Sequence, residues 1–152
     1  MREGAARHGE VPILIVEDNP DDFEACAFAL TEDGTFANPI VRCETGEEAL
    51  RYLGHAGLEA APGNARPGVI FLDLNLPGLD GRDVLARLKR DPQTTALPVV
   101  VMSGSADPGD IHRCYEAGAN SYLVKPGDLD GLTEVIQRVR DYWFGLVALP
   151  GN

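Results

Sequence analysis

The sequence predicts an α/β protein: a flavodoxin-like, doubly wound (βα)5 sandwich around a parallel sheet of strand order 2-1-3-4-5. Two observations carry this. Five short apolar runs alternate with five helix-like patterns along the chain. The first, third and fourth runs, at 11–16, 69–72 and 97–102, are rich in β-branched residues and apolar on both faces. A strand covered by helices on both sides has that composition, and five βα units in one small domain fit a single open sheet.

Each element has its own local reason. The first strand runs into Asn19-Pro20, a capping residue followed by the proline that suits a first helical turn. Phe23, Cys26, Ala27 and Leu30 fall on one face of the first helix, and Gly34 closes it. The second run, 38–43, is weaker; Thr45 with Glu48 three residues on is a capping box for the second helix. The third strand leads to a helix over 80–90, stopped by Asp91-Pro92. Asp107-Pro108 opens the fourth helix and Gly118 ends it. The fifth run, Ser121-Tyr122-Leu123-Val124, precedes a helix capped by Asp128. Leu129, Leu132, Val135, Ile136, Val139, Tyr142 and Trp143 are its apolar stripe. The Gly-, Pro- and Ala-rich stretch 58–67 reads as a loop. The chain thus divides into a flexible N-terminal segment 1–10, a folded domain 11–143 and an apolar arm 144–152.

Composition excludes several functional classes. Among 152 residues, 13 Lys and Arg against 24 Asp and Glu give a net charge of −11. So acidic a chain is a poor partner for nucleic acid or an anionic membrane. An apolar fraction of 44% excludes wholesale disorder. No apolar run approaches the ~18 residues of a membrane span, and residues 1–10 lack the apolar core of a secretory signal. The expected location is therefore the cytoplasm. Cys26, Cys43 and Cys114 are scattered, form no zinc pattern, and read as buried reduced thiols. His8, His55 and His112 form no ligand pattern, and Glu44, Glu47 and Glu48 read as the solvated start of a helix.

In open parallel sheets, functional groups gather beyond the carboxyl ends of the strands. The residues just past four strands are Glu17-Asp18, Asp73, Ser103 and Lys125-Pro126. Three carboxylates, a hydroxyl and an ammonium are thereby brought to one edge. Clustered carboxylates repel unless a cation neutralises them, and an all-oxygen set favours hard Mg²⁺ or Mn²⁺. Together the groups suit phosphoryl transfer to a carboxylate, giving an acyl phosphate. Singly, each has a plainer reading. Asp18 and Asn19 serve as caps of the first helix, Ser103 as a cap of the fourth, Lys125 as a solvated lysine and Tyr122 as a half-buried strand residue. Asp73 is harder to dismiss, because a carboxylate ending an apolar run is costly without a cation or donor.

The ordered set resembles the response-regulator receiver domain of two-component signalling. Val16-Glu17-Asp18-Asn19-Pro20 resembles its acidic motif, and Leu72-Asp73-Leu74-Asn75-Leu76-Pro77-Gly78-Leu79-Asp80-Gly81 its phosphoacceptor motif. Ser103-Gly104 matches its hydroxyl and small-residue pair, and the block 116–126 matches its final helix–strand–lysine segment. The resemblance implies that Asp73 accepts a phosphoryl group from a histidine kinase. Asp18, Asp73 and the backbone carbonyl of Asn75 would ligate Mg²⁺, with Glu17 acting through bound water. Ser103 and Lys125 would bind the phosphoryl group, and Tyr122 would be the aromatic switch. Gly104, where Ala is commoner, would bear on access to that group. The resemblance also implies a cis Lys125–Pro126 bond, and no turnover of an outside substrate.

The loop 58–67, the Asp91-Pro92 stop and the tail from Tyr142-Trp143-Phe144 resemble, more narrowly, the small regulators paired with bacterial and cyanobacterial phytochrome kinases. That subgroup implies a bacteriophytochrome partner and a homodimer through helices 4 and 5, strand 5 and the C-terminal arm. Packing of the arm on its own domain is the alternative. Two other functions compete. A haloacid-dehalogenase-type phosphatase needs a second Asp two residues after the first, where this chain has Asn75. A phosphate-independent pseudo-receiver would not need Glu17, Asp18, Asp73, Ser103 and Lys125 together.

Overall fold

The computed structural model describes residues 11–54 and 65–150. The segment 1–10, His55 and most of the 58–67 loop lie outside the described residues. The elements run β1 (Ile13–Val16), α1 (Pro20–Thr31), β2 (Ile40–Cys43), α2 (Gly46–Tyr52), β3 (Val69–Asp73) and α3 (Gly81–Arg90). They continue through β4 (Val99–Ser103), α4 (Pro108–Glu116), β5 (Ser121–Val124) and α5 (Leu129–Asp141). The strands are parallel in the order β2-β1-β3-β4-β5, as expected.

Strand composition maps onto this order. β1, β3 and β4 are buried at every position, whereas the edge strands β2 and β5 are half-buried. Alternate residues of the central strands feed two separate cores. Leu14, Val16, Ile70, Leu72, Val99 and Val101 pack with Leu50, Val84, Leu85 and Leu88 of α2 and α3. Ile13, Ile15, Val69, Phe71, Val100 and Met102 pack with Cys26, Ala29 and Leu30 of α1 and Ile136 of α5. Full burial of each such large side chain contributes roughly 1.5–3 kcal/mol, so the sheet is a rigid platform for whatever its carboxyl edge carries.

The helix starts follow the predicted caps. Asn19, Thr45, Asp80, Asp107 and Asp128 each accept a backbone N–H from the first turn that follows. Ser103 is not the cap of α4; Asp107 fills that place. Glu48 reaches past the cap residue to accept the amide of Glu44 at 3.0 Å.

Several details depart from expectation. On α1 the inward face takes Ala29 rather than Ala27. Of the stripe expected for α5, Leu129 is 54% exposed, and Tyr142, 49% exposed, falls past the last residue of the helix. The chain does not stop at the end of α5 but winds on through a π turn, Tyr142–Leu146, closed by the Val147 amide on the Tyr142 carbonyl at 3.0 Å. In the arm, Phe144 packs edge-on against Phe36 with centroids 5.2 Å apart, and Leu149 also joins the α1–α5 core. Leu146 stays 75% exposed. The Lys125–Pro126 bond is trans, contrary to what the resemblance implies, and no cis bond occurs among the described residues.

Candidate functional site

The strand order reverses between β1 and β3, and the crevice beyond their carboxyl ends is where such sheets bind ligands. Glu17 and Asp18 leave β1 there, and Asp73 is the last residue of β3. Oxygens of Glu17, Asp18 and Asp73 lie within 4.8 Å of one another. Lys125, one residue past β5, reaches across β4 to this cluster. Its Nζ is 2.9 Å from Glu17 Oε1, 3.8 Å from Asp73 Oδ1 and 3.7 Å from Asp22 Oδ2.

Glu17 and Asp73 are buried, and Asp18 is exposed at the rim. The Asn19 amide donates to Glu17 Oε2 at 3.3 Å, and the Asn75 amide donates to Asp73 Oδ1 at 3.3 Å. Burial pushes the Glu17 carboxyl up to about 7, against the pull of the Lys125 hydrogen bond and with added repulsion from Asp73. Burial opposes the Lys125 charge, but its hydrogen bond to the Glu17 carboxylate and the charge of Asp73 outweigh it and raise its pKa. A cavity of about 80 Å³ opens beside these groups, lined by Glu17, Asp22, Asp73 and Lys125 above apolar Phe71 and Leu132. Three carboxylates against one ammonium leave a deficit of positive charge. The all-oxygen donor set fits a hard divalent cation that keeps part of its water shell.

Ser103, 1% exposed, ends β4, and its Oγ accepts the Ser105 amide at 3.1 Å. Tyr122 is half-buried and turns its hydroxyl inward, donating to the Ser105 carbonyl at 2.9 Å. Ser105 Oγ in turn donates to Asp110 Oδ2 at 2.8 Å. Gly104 faces open space, so a Cβ there would meet nothing within 4 Å. The structure thus joins Glu17, Asp18, Asp73 and Lys125 in one cluster. Ser103 and Tyr122 meet instead at the turn after β4.

Glycine at 81 has a local reason. A Cβ there would collide with the Asp73 carbonyl and approach Leu74 Cα to 2.7 Å, so α3 starts hard against the strand that carries Asp73. Sequence reasoning missed three contributors. Glu47 is not merely solvated; its Oε1 accepts the Leu79 amide at 2.9 Å and holds the turn between β3 and α3. Ser105 lies one residue beyond the Ser103-Gly104 pair. Arg42 near the end of β2 donates to the carbonyls of Glu17 and Asp18. His112 pairs with Glu116 on the surface at 3.0 Å, away from the cluster.

The fold and this cluster define a response-regulator receiver. Residues 13–137 match the family model of the response regulator receiver domain, and the chain belongs to that family of two-component signalling proteins. It is 36% identical to the probable methanogenesis regulatory protein FilR2 of Methanothrix harundinacea, over 91% of this chain and 87% of that one. It is also 36% identical to the response regulator Rcp1 of Synechocystis, over 91% and 92%. The phosphorylated cyanobacterial phytochrome response regulator RcpA superposes with a TM-score of 0.85 at 35% identity, over 93% of this chain and 99% of that one. The Mn²⁺-bound form of Rcp1 superposes with a TM-score of 0.82 at 32% identity, with the same coverage. No helix among the described residues is long and apolar enough to cross a membrane.

Proposed function

We propose that the chain is a phosphorylation-driven switch in which Asp73 accepts a phosphoryl group from a histidine kinase. The observation that carries this reading is the meeting of Glu17, Asp18 and Asp73 oxygens within 4.8 Å, with the Lys125 ammonium 3.8 Å from Asp73. Asp18, Asp73 and the Asn75 backbone carbonyl would hold Mg²⁺ or Mn²⁺, with Glu17 acting through bound water. When bound, the cation supplies positive charge to the oxygens of the transferring group. The Mn²⁺-bound form of Rcp1 supports this choice of ion.

A carboxylate oxygen of Asp73 attacks phosphorus, and the P–N bond of the donor phosphohistidine breaks, its electron pair staying on the imidazole. Lys125 gives up its bond to Glu17 and pairs with a phosphoryl oxygen. Ser103 turns its hydroxyl from the Ser105 amide to another phosphoryl oxygen. Because Tyr122 is tied to the Ser105 carbonyl, that shift reaches the surface of α4, β5 and α5. Gly104 leaves this approach open. The chain turns over no outside substrate beyond its own phosphorylation and dephosphorylation.

The likeness to RcpA supports a phytochrome-class histidine kinase as donor, with the pair in the cytoplasm. Exposed Val124, Leu129, Tyr142 and Leu146 lie on β5, α5 and the π turn, and they support a homodimer through that surface. Incubation with Mg²⁺ and a small-molecule phosphodonor, followed by intact-mass analysis, tests the reading. One added phosphoryl group in the wild type, and none in Asp73→Asn or with chelator, is expected. Equal incorporation by Asp73→Asn would overturn it.

A further inference from the structure

The backbone behind the two acids is held by a side chain that none of these roles uses. Arg42 lies in β2 opposite Ile15 of β1. Its Nε donates to the Glu17 carbonyl at 3.3 Å, and its Nη2 donates to the Asp18 carbonyl at 3.2 Å. The guanidinium sits 4.9 Å from the centroid of the Phe23 ring, and its Nη1 lies 3.4 Å from Glu44. One planar group is thereby fixed against α1 and the turn after β2 while it grips the turn after β1.

The two carbonyls it grips belong to the two peptide planes that flank Asp18. Glu17 has further ties through its carboxylate, to Lys125 and to the Asn19 amide. Among the described residues no hydrogen bond or ion pair holds the Asp18 carboxylate, so its direction is set by its backbone. We propose that Arg42 is a positioning residue for the divalent cation: by fixing both peptide planes around Asp18, it aims that carboxylate at Glu17 and Asp73. The inference rests on reading the acidic cluster as a cation site.

Charge alone makes the opposite prediction. Removing a positive group beside a cation site tightens cation binding, whereas removing a positioning group loosens it. The test is Mn²⁺ alone, titrated into the unphosphorylated full chain and followed by water-proton relaxation. The variants are Arg42→Gln, Arg42→Lys and Asp18→Asn. Arg42→Gln is expected to weaken Mn²⁺ binding about tenfold, the scale of lost orienting partners at metal sites. Arg42→Lys, with its charge unchanged, weakens it less. At saturating Mn²⁺ the phosphorylation rate of both returns to the wild-type value, which general loss of structure would not allow. Unchanged or tighter binding in Arg42→Gln overturns the proposal; if that variant does not fold, wild-type affinity in Arg42→Lys does so. If Asp18→Asn binds as wild type does, the cation-site reading itself fails. If Asp18→Asn weakens binding and the Arg42 variants do not, only the role of Arg42 fails.

Discussion

A methyl group at position 81 is enough to disturb the strand that carries Asp73, because a Cβ there would occupy the space of the Asp73 carbonyl. Gly81→Ala is expected to cost about 1–3 kcal/mol in urea unfolding, the usual scale of overpacking. Gly104→Ala, which points into open space, serves as the neutral comparison. At this scale the sequence was most legible where a functional group follows a strand directly. Asp73, Ser103 and Lys125 each stand at or just past a strand end, so their positions on one edge follow from strand order alone. Arg42 and Glu47 were not legible, because their roles depend on contacts with the turns after β1 and β3, which no local pattern encodes. The pairing of Lys125 with Glu17 was equally hidden, since 108 residues separate the partners.

Helix ends set the frame for those residues. Asn19 accepts the amides of Asp21 and Asp22 at 2.8 and 3.2 Å. Asn19→Ala should therefore lose about 1 kcal/mol of stability in denaturant titration; an unchanged midpoint would show that the cap contributes nothing. At the other end of α1, Asp33 receives Arg140 Nη2 at 2.9 Å, and Arg140 also donates to the Leu30 carbonyl at 3.1 Å, tying α1 to α5. Hydrogen bonds from Arg140 and then Thr35 lower the Asp33 carboxyl from 3.8 to about 2. A carboxyl lowered in the folded state favours folding above its unfolded pKa, and that contribution is lost as pH falls through the folded value. Asp33→Asn should thus lower Tm near neutral pH, with the gap to wild type closing between pH 3.8 and about 2. A gap that stays constant across that range would contradict the pairing. Caps were readable because Asn, Thr and Asp before a helix satisfy amides locally. The π turn after α5 was not, because what distinguishes it is the packing of Trp143 and Phe144 on the core.

For the whole molecule, the apolarity of β1, β3 and β4 against the weaker β2 and β5 separated central from edge strands, since only central strands are covered on both faces, and the order itself followed from the flavodoxin-like arrangement of five βα units. The arm's destination was less legible, because an apolar tail serves packing and association alike. Phe144 and Leu149 pack on the domain, while Leu146 is 75% exposed. Removing 144–152 should lower Tm and weaken self-association together, whereas Leu146→Ser should weaken association in sedimentation and leave Tm unchanged. Identical sedimentation of wild type and Leu146→Ser would exclude the arm from a dimer contact. If one carboxylate of the crowded cluster takes the phosphoryl group, mapping that group identifies which. Borohydride reduction of the phosphorylated chain converts an aspartyl phosphate to homoserine, which peptide mass analysis can place. Homoserine is expected at position 73 alone, and only when Mg²⁺ was present. Reduction at Asp18 or Asp22, or label at 73 formed equally well in chelator, would contradict this expectation.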